Sequence, residues 1–427
     1  MPSHSEFTTD GSSDTYKLIA CEVCSSKLVP PELNLGQQAM CDDLVKVNDP
    51  RVCKRYPIEI SLCPTCLTAH QVHRIKKETL FPVDYHYRPR FTKDVLDGMV
   101  GLVDETEETF GSVAGKCVVD VGCNDGSLLT IFKQRGARTA GIEPTDAAVE
   151  AEASGHQIIQ GYLTPQTATE LLCKVGHPDI ITFTNVFAHI ESLADAIESV
   201  KALAKEETIV IIENHYLGAV FDLFQFDTFY HEHPRTYSRK SFEFIARTMG
   251  GDLLNVTFPS RYGGNIRVAI GNLGRAVCHS PKPSVIESLE REKEFPARLQ
   301  EMQEKVLAWQ ATTQQQLDDF RLKGKRIHGK SFPGRAAILA HLLEVNCQDQ
   351  PLVYEKPGSL KIGHYMPGTR IEIVSDERWI NGSDVPDAML IWAWHISDEV
   401  AKYIRAQGFQ GKLYRPLPSF QEVDTVS

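Results

Sequence analysis

The sequence lacks any apolar run of the roughly 18–20 residues that a helix needs to cross a bilayer. It lacks a basic excess too: 45 Lys and Arg stand against 56 Asp and Glu, a formal net charge of -11. A general nucleic-acid or anionic-membrane binder needs the opposite balance. A phosphate-bearing ligand would have to meet a local basic pocket, not a basic face. Residues 1–17 (MPSHSEFTTDGSSDTYK) contain no signal-peptide apolar region, and are expected to form a disordered lead into a cytoplasmic protein. A complete G-x-G-x-x-G is missing as well, which weakens a dinucleotide-binding reading. What is present is a 427-residue chain, 42% apolar and 24% charged, the profile of a soluble globular protein of two or three domains.

The eleven cysteines are odd in number, and four of them form two Cys-x-x-Cys pairs. In a cytoplasmic chain that pattern favours metal over disulfides. Cys21, Cys24, Cys63 and Cys66 supply two knuckles, enough for a tetrahedral sulfur site; Cys41 and Cys53 lie between them as competitors. Four thiolates close the coordination sphere, so the ion would be a structural Zn2+ with no open position for water. Beyond the pairs, residues 81–87 (FPVDYHY) are unusually aromatic. Tyr85 and Tyr87 either pack between domains or form a lid over a site.

The middle of the chain predicts a Rossmann-like α/β domain. Residues 116–121 (KCVVDV) form a buried parallel strand, then the turn Gly122-Cys-Asn-Asp-Gly126, then a helix. Glycines allow a tight turn, and the helix N-terminus offers free N–H groups. Glu143 ends the next strand, where a carboxylate accepts hydrogen bonds from ribose hydroxyls. Further strands are predicted over 179–184 and 208–213. Asp120, Gly122, Asn124, Asp125, Glu143 and Asn185 are therefore cofactor-binding candidates. An acid after the second strand suits NAD as well as S-adenosylmethionine; the missing third glycine favours the methyl donor.

Residues 226–238 (FDTFYHEHPRTYS) carry the densest proton-transfer chemistry in the sequence. Tyr230, His231, Glu232 and His233 are consecutive, imidazole titrates near neutral pH, and a neighbouring phenol or carboxylate can fix its tautomer. His189 stands after the fourth predicted strand of the domain, facing the expected crevice. Of the two histidines His231 is taken as the lesser candidate for the base, since neighbours in an extended segment point to opposite faces. Tyr262-Gly-Gly-Asn-Ile-Arg267 adds a cation, either for a phosphate or within a simple strand turn. Residues 281–322 predict one long amphipathic helix joining two domains. A smaller α/β unit follows, with strands near 352–354, 388–393 and 412–414. Lys330, Arg335 and His364 are its candidate substrate contacts.

In order along the chain, C-x-x-C…C-x-x-C, FPVDYHY, VVDVGCNDGSLL, GIEP, NVFAHI, ENHYL, FDTFYHEHPRTYS, YGGNIRV, YEKPGSLKIGHYMPGT and PDAMLIWAW together resemble the three-domain sugar C-methyltransferases. The resemblance runs from about Cys21 to Pro418. It implies an N-terminal zinc-binding module (18–80), a central methyltransferase domain (81–280), a helical linker (281–323) and a C-terminal α/β domain (324–427). It further implies methyl transfer from S-adenosylmethionine to C-3 of a nucleotide-linked 4-keto-6-deoxysugar, dTDP- or GDP-linked, through an enolate. In that scheme His233 is the base, Tyr230 and Glu232 support it, and His189 with Tyr85 or Tyr87 closes over the sugar. One departure stands out: the family's Y-G-A-x-x-K-G turn is here Gly329-Lys-Ser-Phe-Pro-Gly334-Arg335. The rival readings are O- or N-methylation of a nucleotide sugar, a non-catalytic zinc-containing S-adenosylmethionine-binding protein, and a nicotinamide-dependent oxidoreductase. The sequence carries no sign of its oligomeric state.

Overall fold

The computed structural model describes residues 15–80, 93–274 and 283–423. Tyr85 and Tyr87 lie outside the described residues, as do residues 1–14 of the disordered lead expected over 1–17; its last three residues, Thr15–Lys17, instead form a strand antiparallel to His73–Ile75. No described helix is long and apolar enough to cross a membrane.

The central sheet has seven strands. Across it run Asp252–Thr257, Asn265–Gly271, Ile209–His215, Ile180–Thr184, Cys117–Val121, Arg138–Glu143 and Gln157–Gln160. The five from Ile209–His215 to Gln157–Gln160 are parallel, and the other two join antiparallel. Cys117–Val121 is buried along its whole length, as expected for a parallel strand covered on both faces. Each buried Val there adds roughly 1.5–3 kcal/mol of transfer free energy. The chain starts at this central strand and winds outward both ways. A topological switch point therefore opens at the carboxyl ends of Cys117–Val121 and Ile180–Thr184, where α/β sheets hold their ligands.

The C-terminal sheet repeats the plan. Ile327–Lys330 lies between Leu352–Glu355 and Ala388–Ile391, parallel to both. Its own switch point opens between the segments that follow Ile327–Lys330 and Ala388–Ile391.

The modules are stitched together by exchanged strands. Arg235–Thr236 pairs with Ala69–Gln71 and so extends the sheet of the cysteine-bearing module. Val45–Lys46 of that module pairs with His364–Tyr365 and extends the C-terminal sheet.

The single helix expected over 281–322 is instead two helices, Pro283–Glu292 and Phe295–Leu322. Pro296 explains the break. It lacks an N–H and disfavours a helical residue before it, so it opens a helix but does not continue one. The second helix is more than a connector: it buries Phe295, Leu299, Met302, Val306 and Trp309, and the Trp309 indole donates to the Pro416 carbonyl at 2.7 Å.

Candidate active site

The four cysteines Cys21, Cys24, Cys63 and Cys66 turn their sulfurs to within 4.8 Å of one another. Four thiolates at that spacing fit one Zn2+ and complete its tetrahedron. The sulfurs are themselves supported: His70 Nε2 lies 3.2 Å from Cys21 Sγ and the Val23 amide donates to the same sulfur. Such outer contacts orient metal ligands. Cys53 is elsewhere, its sulfur accepting from the Gly368 amide, so it stands apart from the cluster.

At the first switch point the turn after Cys117–Val121 takes left-handed conformations at Gly122, Asn124 and Gly126. Gly122 is required there: a Cβ would come within 2.5 Å of the Val186 side chain. Glu143 locks the turn, accepting from the Asn124 amide at 2.9 Å and from the Thr145 amide and hydroxyl. A carboxylate accepts about four hydrogen bonds, so one position is left for a ribose hydroxyl. The donor set therefore fits S-adenosylmethionine. Asp125 caps the following turn through Ser127. Asp120 receives the Thr182 hydroxyl at 2.7 Å, and burial pushes its carboxyl up to about 7. Asn185, also left-handed, is held by Asn265, whose amide reaches both Asn185 Oδ1 and Glu213 Oε1. Asn265 was not singled out from sequence.

The 226–238 segment spans the gap between the two switch points. It is a turn and not an extended strand: the His233 amide donates to the Tyr230 carbonyl at 2.8 Å. That turn stacks the two rings, with centroids 4.1 Å apart. The Tyr230 hydroxyl meets His233 Nε2 at 2.9 Å, and His233 Nδ1 meets the Thr228 carbonyl at 3.1 Å. A carbonyl only accepts, so Nδ1 carries the proton and Nε2 keeps a lone pair. His231 points away, as expected, but for a different reason: the turn sends it to the Tyr56 carbonyl at 3.2 Å and edge-on to the Tyr56 ring.

Around His233 the molecule gathers further imidazoles. His189 and His215 have ring centroids 4.6 and 5.5 Å from His233. Burial holds all of them neutral, pushing His189 down to about 4, His215 to about 3 and His233 well below its usual range. Burial also lifts the Glu232 carboxyl well above the ordinary range, with Asp42 nearby adding to the lift. Burial thus disfavours charge on Glu232, and the side-chain partner of His233 is Tyr230.

The C-terminal domain contributes to the same place. Arg335 Nε lies 3.2 Å from Asp227 Oδ2 and its Nη1 reaches the Thr228 hydroxyl at 3.3 Å. Its guanidinium sits over the Trp394 ring, and the Trp394 indole donates to the same Asp227 oxygen at 2.8 Å. His395 follows, pushed down to about 3 by burial and then by Arg335 and His215. Of this group Arg335 was a candidate from sequence and Asp227 lay unremarked inside 226–238; His215, Trp394 and His395 come from distant segments and were missed, and only His215, ending a strand next to NVFAHI in space, had a usable signal.

Three other candidates are brought elsewhere. Lys330 is fully buried in an ion pair with Asp376 at 2.9 Å, and Arg267 pairs with Glu213 at 2.7 Å and also with Glu105. Both cations are engaged in holding strands. They correct the expectation that they meet substrate, because a buried charge with a partner is costly to redirect. His364 stands on a two-residue strand between Val45–Lys46 and Glu372–Ser375, its Nδ1 3.3 Å from the Lys361 carbonyl.

The cysteine-bearing module grips the 226–238 segment from below. The Gln71 side-chain amide donates to the carbonyls of Tyr230 and His233, and its backbone amide to Pro234. Glu22, between the first two cysteines, forms ion pairs with Arg235 at 2.6 Å and with Arg74. Ser238 caps the helix Arg239–Met249 and donates to the carbonyl of Cys66.

Three family models match the chain in succession: a "Putative zinc binding domain" over 21–81, a "Methyltransferase domain" over 88–255 and a "C-methyltransferase C-terminal domain" over 260–418. The C-methyltransferase NovU of Streptomyces niveus is 25% identical over 386 residues, 89% of this chain and 90% of that one. A ubiquinone biosynthesis O-methyltransferase of Actinobacillus pleuropneumoniae is 32% identical over 119 residues, covering 25% of this chain and 49% of that relative. Among solved structures, the magnesium protoporphyrin IX methyltransferase of Synechocystis is 17% identical, with a TM-score of 0.34, over 44% of this chain and 90% of that one.

Proposed function

We propose that the chain, an S-adenosylmethionine-dependent methyltransferase by its three successive domain matches and its likeness to the C-methyltransferase NovU, methylates C-3 of a nucleotide-linked 4-keto-6-deoxysugar. One observation carries the reading: a neutral imidazole, His233, buried between the two sheet switch points, with its Nδ1 proton fixed on a carbonyl and its Nε2 lone pair facing a phenol. That is the equipment for taking a proton from carbon next to a ketone.

In this mechanism bound S-adenosylmethionine supplies an electrophilic methyl group. Glu143 receives its ribose, and Asp120, Gly122, Asn124, Asp125 and Asn185 form the cradle. The ketone at C-4 acidifies the C-3 proton, because the carbanion delocalises into an enolate. His233 Nε2 takes that proton once the substrate oxygen has drawn the Tyr230 hydroxyl away. Positive charge then forms on an imidazole that burial had kept neutral, and the enolate beside it offsets the cost. Tyr230 stays hydrogen-bonded to the reacting oxygen, Glu232 supports the base, and His189 packs on the base to keep water out. Much of the remaining effect is positioning of carbon against methyl. The zinc site, closed by four sulfurs, holds the module that grips the segment.

The test is to incubate the enzyme with dTDP- and GDP-linked 4-keto-6-deoxysugars and S-adenosylmethionine and to locate the new methyl by NMR. A methyl on C-3 is expected. A methyl on oxygen or nitrogen, with the C-3 proton retained, would replace this reading with O- or N-methylation.

A further inference from the structure

We propose that Arg335 is a catalytic residue that receives the charge developing on the C-4 oxygen, and that Asp227 and Trp394 are its positioning residues. The inference rests on the C-3 methylation reading and assigns the group that stabilises its enolate.

Arg335 is nine-tenths buried, with 10% of its side chain exposed. Asp227 and Trp394 hold its guanidinium as a fixed unit: the carboxylate meets Nε, the indole lies under the plane, and the two are joined by their own hydrogen bond. Nη2 has no hydrogen-bond partner among the described residues, and Nε, though at ion-pair distance from Asp227, makes no hydrogen bond of its own. A buried donor left in this state costs about 1–3 kcal/mol and calls for an acceptor supplied from outside the chain.

The location says which acceptor. Thr228 carries both groups: its carbonyl takes the His233 Nδ1 proton and its hydroxyl meets Arg335 Nη1. The base and the guanidinium are therefore anchored on one residue. The ketone oxygen is two bonds from the carbon that His233 deprotonates, whereas the diphosphate leaves the ring from C-1, on the far side of C-2. The charge count agrees. One enolate oxygen asks for one cation, and Arg335, whose Nε faces Asp227, otherwise has as neighbours the imidazoles of His215, His233 and His395, all held neutral. A diphosphate asks for more, yet Lys330 is paired with Asp376 and Arg267 with Glu213 and Glu105.

The electrons balance as follows. The C-3–H bond breaks and its proton goes to His233 Nε2. Its electron pair becomes the C-3=C-4 double bond, and the carbonyl π pair moves to the oxygen facing Arg335. When C-3 bonds the methyl carbon, the S–C bond breaks, S-adenosylhomocysteine leaves and the carbonyl re-forms. Arg335 thus interacts more strongly with the enolate than with the ketone, which is the requirement for catalysis.

The experiment measures C-3 proton exchange in D2O without methyl donor, with a 4-keto-6-deoxy nucleotide sugar that the wild type exchanges. Arg335→Gln should lower the saturated exchange rate by about 10²–10³-fold, as loss of an oxyanion donor does. KM should change less than about fivefold and S-adenosylmethionine should bind as before, by calorimetry. Arg335→Lys should restore part of the rate, and Asp227→Asn should lower it about tenfold with the same unchanged KM. A saturated rate kept within about threefold in Arg335→Gln, with KM raised, would overturn the proposal and make Arg335 a diphosphate anchor. If Arg335→Gln does not fold, the same split of rate against KM in Arg335→Lys decides. Should the wild type methylate without exchanging any 4-keto sugar, the underlying reading fails first and this inference with it.

Discussion

The two α/β sheets share one plan and use it differently. Each begins at a central strand, winds outward both ways and opens a crevice at the carboxyl end of that strand. In the central sheet the first strand leads into a turn of left-handed residues closed by Glu143, rich in backbone N–H and free of cations. In the C-terminal sheet the corresponding strand ends on Lys330, buried against Asp376, and its turn sends a guanidinium outward. One crevice suits a ribose and a sulfonium; the other supplies charge to a site it does not itself contain. Topology alone does not separate the two roles, because function lies in the loops grafted on the sheets.

The sharpest way to break this contrast is at the segment between the crevices. His233→Ala should lower methyl transfer by roughly 10²–10⁴-fold, the range of a lost general base. Titration calorimetry should find S-adenosylmethionine binding intact, since Glu143 and its turn are untouched. A matched loss of binding would mean that His233 serves the cofactor crevice instead.

Within the C-terminal sheet, Lys330→Met leaves Asp376 buried with only Tyr403 and Trp379 as partners. Breaking such a pair costs about 3–5 kcal/mol. Thermal unfolding should show this, with the affinity for S-adenosylmethionine unchanged below the transition. An unshifted transition would mean that the ion pair does not hold that sheet.

Glu22→Gln tests whether the zinc-bearing module positions the base. It weakens the ion pairs to Arg235 and Arg74 without removing a sulfur. The expected result is a fall in kcat of about tenfold, with bound zinc still stoichiometric by metal analysis. Unchanged kcat would confine that module to holding the fold.

The smallest effect separates the two histidines of the Tyr230–His233 turn. His231 has its pKa pushed down to about 4 by burial, so the folded state resists its protonation. Its contribution to stability is fully present above its unfolded value and is lost as pH falls through the window from about 6.5 to about 4. Asp120 and Glu232, whose values are raised, work in the opposite direction. His231→Asn should therefore flatten the decline of Tm with pH across that window while leaving methyl transfer within a few-fold. An identical slope in the variant would remove His231 from the titration.

Much of this architecture was legible in the chain. The Cys-x-x-Cys pairs announce their sulfur cluster because knuckle geometry is local. VVDVGCNDG and GIEP announce a parallel sheet and its acid because strand, turn and helix signals are local too. What could not be read was contact made at long range. Nothing near Gln71 says that its side chain grips the carbonyls of Tyr230 and His233, or near Trp394 that it meets Asp227. Lys330 and Arg267 misled for the same reason: a cation in a glycine-rich turn suggests phosphate until its buried carboxylate is seen. His231 turns away from His233 through the Tyr230–His233 turn, not through the alternation of an extended segment. The break before Phe295 could have been anticipated from Pro296, whose ring forbids the helix to continue through it.

The most direct test of the account follows a single proton. A 4-keto-6-deoxy nucleotide sugar is held with the enzyme in D2O, without methyl donor, and its C-3 resonance is followed by NMR. The account predicts that the wild type washes this proton out and that His233→Ala does not, while both bind S-adenosylmethionine alike. Exchange at the wild-type rate in His233→Ala would contradict it.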